Sequence, residues 1–314
     1  MAHFADRLAE AVDTKGNPCC VGLDPRVELI PRGLREQVIG DEPLSCEAAA
    51  RLVGVFCREV VDIVAPLVPV VKVQAAFFER LGPPGYQAYV ETVRHARKRG
   101  LIVIADVKRS DIGSTAGAYA EAHLGVASVE GVEVFDLGAD ACTVNPYFGL
   151  DGVEPFINQA VTHDRGVFVI VRTTNPGAET IQGLACKGVP LFVRIGALVH
   201  QWGEEHVGRT GYSCVGAVVA GTQPADAEKL RRLMPHAYFL VPGFGAQGAG
   251  PAEVAKAFDS GGRGAIVSSS RAVIFAHRRA PYDRDFGEER WREAVEAATR
   301  HMIESIRTIT GPLL

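Results

Sequence analysis

The run Leu101-Ile102-Val103-Ile104-Ala105-Asp106-Val107-Lys108-Arg109-Ser110-Asp111-Ile112-Gly113-Ser114-Thr115 begins as an apolar strand and ends in charge. Side chains alternate faces along a strand, so Asp106 and Lys108 point the same way, and Asp111 follows where the chain turns toward a helix. Three charges of mixed sign therefore converge at one strand end. Such a cluster is costly to desolvate unless its members pair, and strand ends in parallel α/β proteins are where ligands bind.

Outward from this stretch, short β-rich runs alternate with helical ones over most of the 314 residues. Strands are predicted at Pro18 to Leu23, Val68 to Gln74, Leu101 to Val107, Ala139 to Val144, Val167 to Arg172, Cys214 to Ala220, Ala237 to Val241 and Gly264 to Val267. Eight is the number that closes a (β/α)8 TIM barrel. Between them, Cys46 to Val64 carries Leu52, Phe56, Val60 and Ile63 at helical spacing, and Tyr86 to Arg99 runs into Gly100, a natural C-terminal cap. Ala225 to Met234 and Ala252 to Asp259 each follow a proline suited to a helix start. Phe4, Leu8 and Val12 give Met1 to Asp13 the pattern of an extra N-terminal surface helix rather than a signal peptide. Trp291, Val295, Ala298, Met302 and Ile306 form the apolar stripe of a last helix, and Trp202 with its apolar neighbours has a packing role. Two stretches, Asp24 to Ser45 and Thr173 to Tyr212, exceed an ordinary connection and are expected as long loops at the barrel's mouth or rim. With no repeat or linker, residues 1–314 are expected to form a single α/β domain.

Composition narrows the function classes. A hydrophobic content of 47% with 22% charged residues is that of a globular chain. A net charge of -4 opposes a general nucleic-acid binder, which needs a basic field to displace counterions. No apolar run reaches the roughly 20 residues of a membrane span. Seven cysteines without a CxxC pair leave an odd thiol, which fits a reducing, cytoplasmic setting.

In a parallel barrel, chemistry gathers at the C-terminal strand ends, and polar residues recur there. They are Asp24, then Lys72 with Gln74, then Asp106 and Lys108, then Asn145, then Arg172 through Asn175. Gly243 to Gly250 follows the seventh strand and Ser268 to Arg271 the eighth. The glycine loop matches GxGxxG, but too little chain follows to build a dinucleotide domain. Beside Arg271 it reads better as a phosphate gripper, since barrels often bind phosphate after strands 7 and 8.

The run Asp106 to Ile112, with Thr115 behind it, resembles the DxKxxDI signature of the orotidine 5'-phosphate decarboxylase family. Val21-Gly22-Leu23-Asp24-Pro25-Arg26 is similar to the family's first strand, Val71-Lys72 to its second, and Pro242-Gly243 through Gln247 to its phosphate loop. The longer loops resemble those of the bacterial type 2 subgroup. The resemblance implies decarboxylation of orotidine 5'-monophosphate to UMP, the last step of de novo pyrimidine nucleotide synthesis, without metal or organic cofactor. By that likeness Lys108 protonates C6, Asp106 lies beside the departing carboxylate, and Lys72 orders these charges and the ribose. Asp111 would cross to the other subunit's site in a homodimer with shared active sites, followed by Thr115 at the ribose. Asp24 would accept from ribose hydroxyls, Thr174 would bond the pyrimidine, and Ile112 would wall it. Gln247 and Arg271 would hold the phosphate, with a backbone N–H from Ser270.

The chemistry suits those residue types. Losing carbon dioxide from a vinylic carbon leaves electron density without an adjacent sink, so the protein must supply positive charge and a proton at that atom. A lysine kept charged by flanking carboxylates does both, with its charges placed before the reaction begins. Two other readings stand beside this one. A sibling barrel family, typified by hexulose-phosphate synthase, shares DxKxxD but uses magnesium, with a glutamate ligand where this chain has Lys72. A non-catalytic UMP-binding barrel would leave the Asp106, Lys108 and Asp111 set without a purpose.

Overall fold

A computed structural model describes residues 2–245 and 248–311. Eight parallel strands close on themselves: β1 Cys19–Leu23, β2 Val70–Gln74, β3 Ile102–Arg109, β4 Ala141–Val144, β5 Gly166–Arg172, β6 Ser213–Val219, β7 Ala237–Val241 and β8 Ala265–Ser269. Neighbours in sequence are neighbours in the sheet, and β8 returns to β1 with Cys19 opposite Val267 and Val21 opposite Ser269. All eight predicted strands are present, with no end off by more than two residues and Ala237–Val241 matching at both ends. They read clearly because strands covered by helices outside and packed side chains inside are short continuous apolar runs.

The helices form the outer layer. α1 (Phe4–Lys15) buries Phe4, Leu8 and Val12, with Phe4 edge-on to Phe168 and filling the space over Gly166 at the start of β5. Each such apolar side chain contributes about 1.5–3 kcal/mol when sealed from water, so the helix is an anchored cover of the barrel wall. α2 (Arg32–Ile39) follows β1, and α3 (Cys46–Val64) starts at Ser45, whose hydroxyl accepts from Ala48 N at 3.1 Å. α4 (Gly82–Lys98) begins earlier than Tyr86 because Pro83 and Pro84 suit a first turn. α5 (Gly113–His123), α6 (Leu150–Thr162), α7 (Leu191–Gly203), α8 (Pro224–Leu233) and α9 (Trp291–Thr310) continue the ring.

Three sequence expectations need correction. The stretch 173–212 is not wholly a loop at the mouth, because it contains α7, an ordinary crossover helix between β5 and β6 that buries Phe192 and Val199. Asp24 to Ser45 likewise holds α2, anchored by Leu34 and Ile39. The helix expected over Ala252 to Asp259 is one α-turn, Pro251–Val254, followed by a 3-10 turn, Ala255–Ala257. An unexpected hairpin pairs Ala127–Val129 with Val132–Phe135 through Glu130 and Gly131, both at positive φ. No helix among the described residues is long and apolar enough to cross a membrane.

Candidate active site

At the C-terminal end of β3, the Asp106 carboxylate is 5% exposed and saturated with donors. Lys72 from β2 reaches its Oδ2 at 2.5 Å, and Gln74 Nε2 donates to the same oxygen at 2.9 Å. Lys108 Nζ reaches Oδ1 at 2.5 Å, where the Thr143 hydroxyl from β4 also donates at 2.9 Å. Burial favours the neutral acid, but the Lys72 and Lys108 ammoniums outweigh it and hold Asp106 well below the usual carboxylate range. Burial likewise opposes charge on Lys72, yet Asp106, then Asp24, raise it above the ordinary lysine value. The two ammoniums differ in access: the Lys72 side chain is 8% exposed, that of Lys108 45%. The second is far more open to a ligand.

The backbone at Lys108 is unusual for a residue with a side chain, with φ at 46°. Between the Ala105–Cys142 and Arg109–Val144 pairings, β3 carries two more residues than β4. This bulge takes the N–H groups of Val107 and Lys108 out of the ladder, and both donate to the Thr143 hydroxyl at 3.0 Å.

Around this charge cluster lies a cavity of about 540 Å³ at the mouth. It is lined by Asp24, Lys72, Asp106, Lys108, Thr174, Ser270 and Arg271, so seven of the site residues expected from sequence share one space. Gly22 is required here: a Cβ on it would lie 2.0 Å from the Ser270 hydroxyl, so its absence lets the ends of β1 and β8 meet. One carboxylate oxygen of Asp24 is buried without a partner. The loop after β7 turns through Gly243, Gly245 and Gly248 at positive φ, and Ser269 Oγ ties it back by donating to Phe244 O at 3.2 Å.

Asp111, Ile112 and Thr115 do not line this cavity. Asp111 accepts from Ile112 N at 2.8 Å in the turn between β3 and α5, and Ile112 and Thr115 are exposed. Gln247 lies outside the described residues. Arg172, at the end of β5, turns into the helical layer, where Asp226, Glu179 and the Phe192 ring hold it. Asn145 is exposed and accepts from Tyr147 N.

Among the cavity's polar residues, Thr143 and Arg26 carry no role in the sequence reading. Thr143 sits inside an apolar strand and gives no polar pattern to notice. Arg26 lines the cavity with its guanidinium 5.8 Å from the centre of the Phe77 ring and its Nε buried without a partner. A cation two residues beyond Asp24 was the available signal for it.

Residues 18–280 match the family described as orotidine 5'-phosphate decarboxylase / HUMPS. The chain is 45% identical over 307 residues to an orotidine 5'-phosphate decarboxylase of Rhodopirellula baltica, covering 98% of this chain and all of that one. It is 37% identical over 279 residues to the Caldicellulosiruptor bescii protein of the same name, covering 88% of this chain and 91% of that one. Among solved structures, Leishmania donovani OMP decarboxylase superposes with a TM-score of 0.72 at 27% identity, covering 98% of both chains.

Proposed function

Because the chain belongs to the orotidine 5'-phosphate decarboxylase / HUMPS family and converts orotidine 5'-monophosphate to UMP in pyrimidine nucleotide synthesis, we propose that Lys108 delivers the proton to C6. The observation that carries this reading is the asymmetry of the two lysines on Asp106: Lys72 is sealed beneath the carboxylate, and Lys108 faces the cavity. As the C6–carboxylate bond breaks, its electron pair stays on C6. The Lys108 ammonium stabilises that charge, gives up one proton to form the C6–H bond of UMP, and is left as a neutral amine that solvent reprotonates. Asp106, fixed by four donors, keeps the ammonium in place before reaction, so little reorganisation is needed as charge develops.

The other lining residues bind and orient. Cationic Arg26, Lys72, Lys108 and Arg271 outnumber anionic Asp24 and Asp106 around the cavity, which suits a ligand bearing both a carboxylate and a phosphate. The unpartnered Asp24 oxygen accepts from ribose hydroxyls beside Lys72, and Thr174 bonds the pyrimidine. Arg271, the Ser270 N–H and Gln247 take the phosphate, whose binding energy fixes the base near Lys108. The proposed reaction uses no metal or organic cofactor, and a cation has no place at Asp106, where an ammonium already sits on each oxygen.

Residues 1–314 act as one domain, supported by a core cluster running from Phe4 to Ile306. The working unit is a cytoplasmic homodimer in which Asp111, Ile112 and Thr115 complete the site of a second copy. Supporting this, the three lie outside their own cavity on a flank that also exposes Tyr147 and Phe148. The Asp111 backbone carbonyl and the Phe148 side chain both lie over Gly152, so polar and apolar surface are contiguous.

The test follows orotidylate absorbance after adding protein, with and without EDTA. The absorbance is expected to fall equally in both, and to persist with Lys108→Ala. Turnover abolished by EDTA would favour the magnesium-using sibling chemistry.

A further inference from the structure

Thr143 is buried at the end of β4, and its single hydroxyl makes three hydrogen bonds. It donates to Asp106 Oδ1 and accepts from the N–H groups of Val107 and Lys108. These are a hydroxyl's one donor and two acceptor sites, all in use. The geometry points to Thr143 as the positioning residue for Lys108: the hydroxyl holds the strained backbone of the lysine and the carboxylate that grips its amine as one unit.

Each part of this arrangement needs the others. A left-handed φ at a lysine is unfavourable and persists only where the surroundings over-determine it. The bulge also strips two N–H groups of their strand partners, and buried N–H groups left unpaired are costly. One acceptor at residue 143 meets both demands, while its proton orients the Asp106 oxygen that receives Lys108 Nζ. Without the hydroxyl, the bulge loses its reason to place residue 108 in the left-handed region, and an extended backbone there would swing the side chain away from Asp106 and the cavity. Thr143 also lines the cavity, yet its oxygen is fully used by the protein, so its effect passes through Lys108.

The inference rests on Lys108 as proton donor. The experiment compares Thr143→Val, which keeps the shape and removes the hydroxyl, with Thr143→Ser, which keeps the hydroxyl, measuring kcat, KM and UMP affinity. Misplacing a reacting group by an ångström can lower rates about 100-fold, so Thr143→Val is expected to lower kcat on that order while KM and UMP affinity stay within about threefold. Thr143→Ser is expected to return kcat to near the parent value. Parent-level kcat in the valine variant overturns the inference. So does an equal loss of UMP affinity, which indicates general collapse of the site, or a serine variant as slow as valine. If the valine chain does not fold, Thr143→Cys replaces it: the weaker thiol should lower kcat below the serine variant, and parity between them overturns the inference. Lys108→Ala run alongside separates the two claims, because retained turnover there removes the proton-donor reading itself.

Discussion

Lys72 Nζ lies 2.5 Å from Asp106 Oδ2 with both side chains almost sealed from water, so each is the other's substitute for solvent. The pair makes stability depend on pH at both extremes. Asp106 titrates below the unfolded value of about 3.9, so its contribution is full above that pH and is lost as pH falls through the folded value. Lys72 titrates above the unfolded value of about 10.4, so its share is full below that pH and is lost in strong alkali. Buried His123 and His277 are pushed down to about 4, chiefly by burial, so the unfolded chain takes up protons between about pH 6.5 and 4 that the native state refuses. The urea midpoint of the parent should therefore fall from pH 6.5 to 4 and again below 4. Asp106→Asn should keep the first decline, lose much of the second, and be less stable at pH 7 by about 3–5 kcal/mol, because Lys72 is left buried and unpaired. Unchanged acid sensitivity below pH 4 in that variant would contradict this account.

Lys108→Ala should abolish measurable kcat while UMP still binds, since the phosphate and ribose contacts remain. Isothermal titration with UMP beside the absorbance assay reads both quantities.

Arg271→Ala should act mainly on KM. A hydrogen bond to a charged group contributes about 1.5–3 kcal/mol, so KM should rise roughly 10- to 100-fold with a smaller fall in kcat. Initial-rate curves decide it; a large fall in kcat at unchanged KM would move Arg271 into the chemical step.

Chains carrying Lys108→Ala and chains carrying Asp111→Ala should each be nearly inactive alone and recover when mixed and allowed to exchange. With random pairing in a two-fold dimer, half of the dimers are mixed and one of their two sites is intact, so activity should approach about a quarter of the parent's. Absence of recovery, with exchange shown by a size-tagged chain, would place Asp111 in its own subunit's site.

The barrel was legible because its strands are apolar runs ending in polar residues, and seven expected site residues do share one cavity. What stayed hidden depends on departures from regular geometry. Alternation puts Asp106 and Lys108 on one face, but it cannot show that the ladder slips by two residues between them and β4 or that Thr143 captures the freed N–H groups. The Val129 and Val132 hairpin gives no signal of its own in the sequence, because its short strands lie between two elements of the repeating strand–helix pattern. Helix α7 is hard to separate from a loop in the sequence because its apolar residues follow a stretch, Thr173 to Lys187, that reads as irregular. Asp111, Ile112 and Thr115 illustrate a different limit: a single chain places them on its own surface.

The close approach of Gly22 to Ser270 has a consequence for biosynthesis. Ligand groups before residue 30 and after residue 267 come together only across the β1–β8 seam, so a chain still emerging from the ribosome has no complete pocket to offer. Nucleotide can therefore stabilise only a finished cylinder, and a prematurely truncated product gains no protection from it against proteolysis.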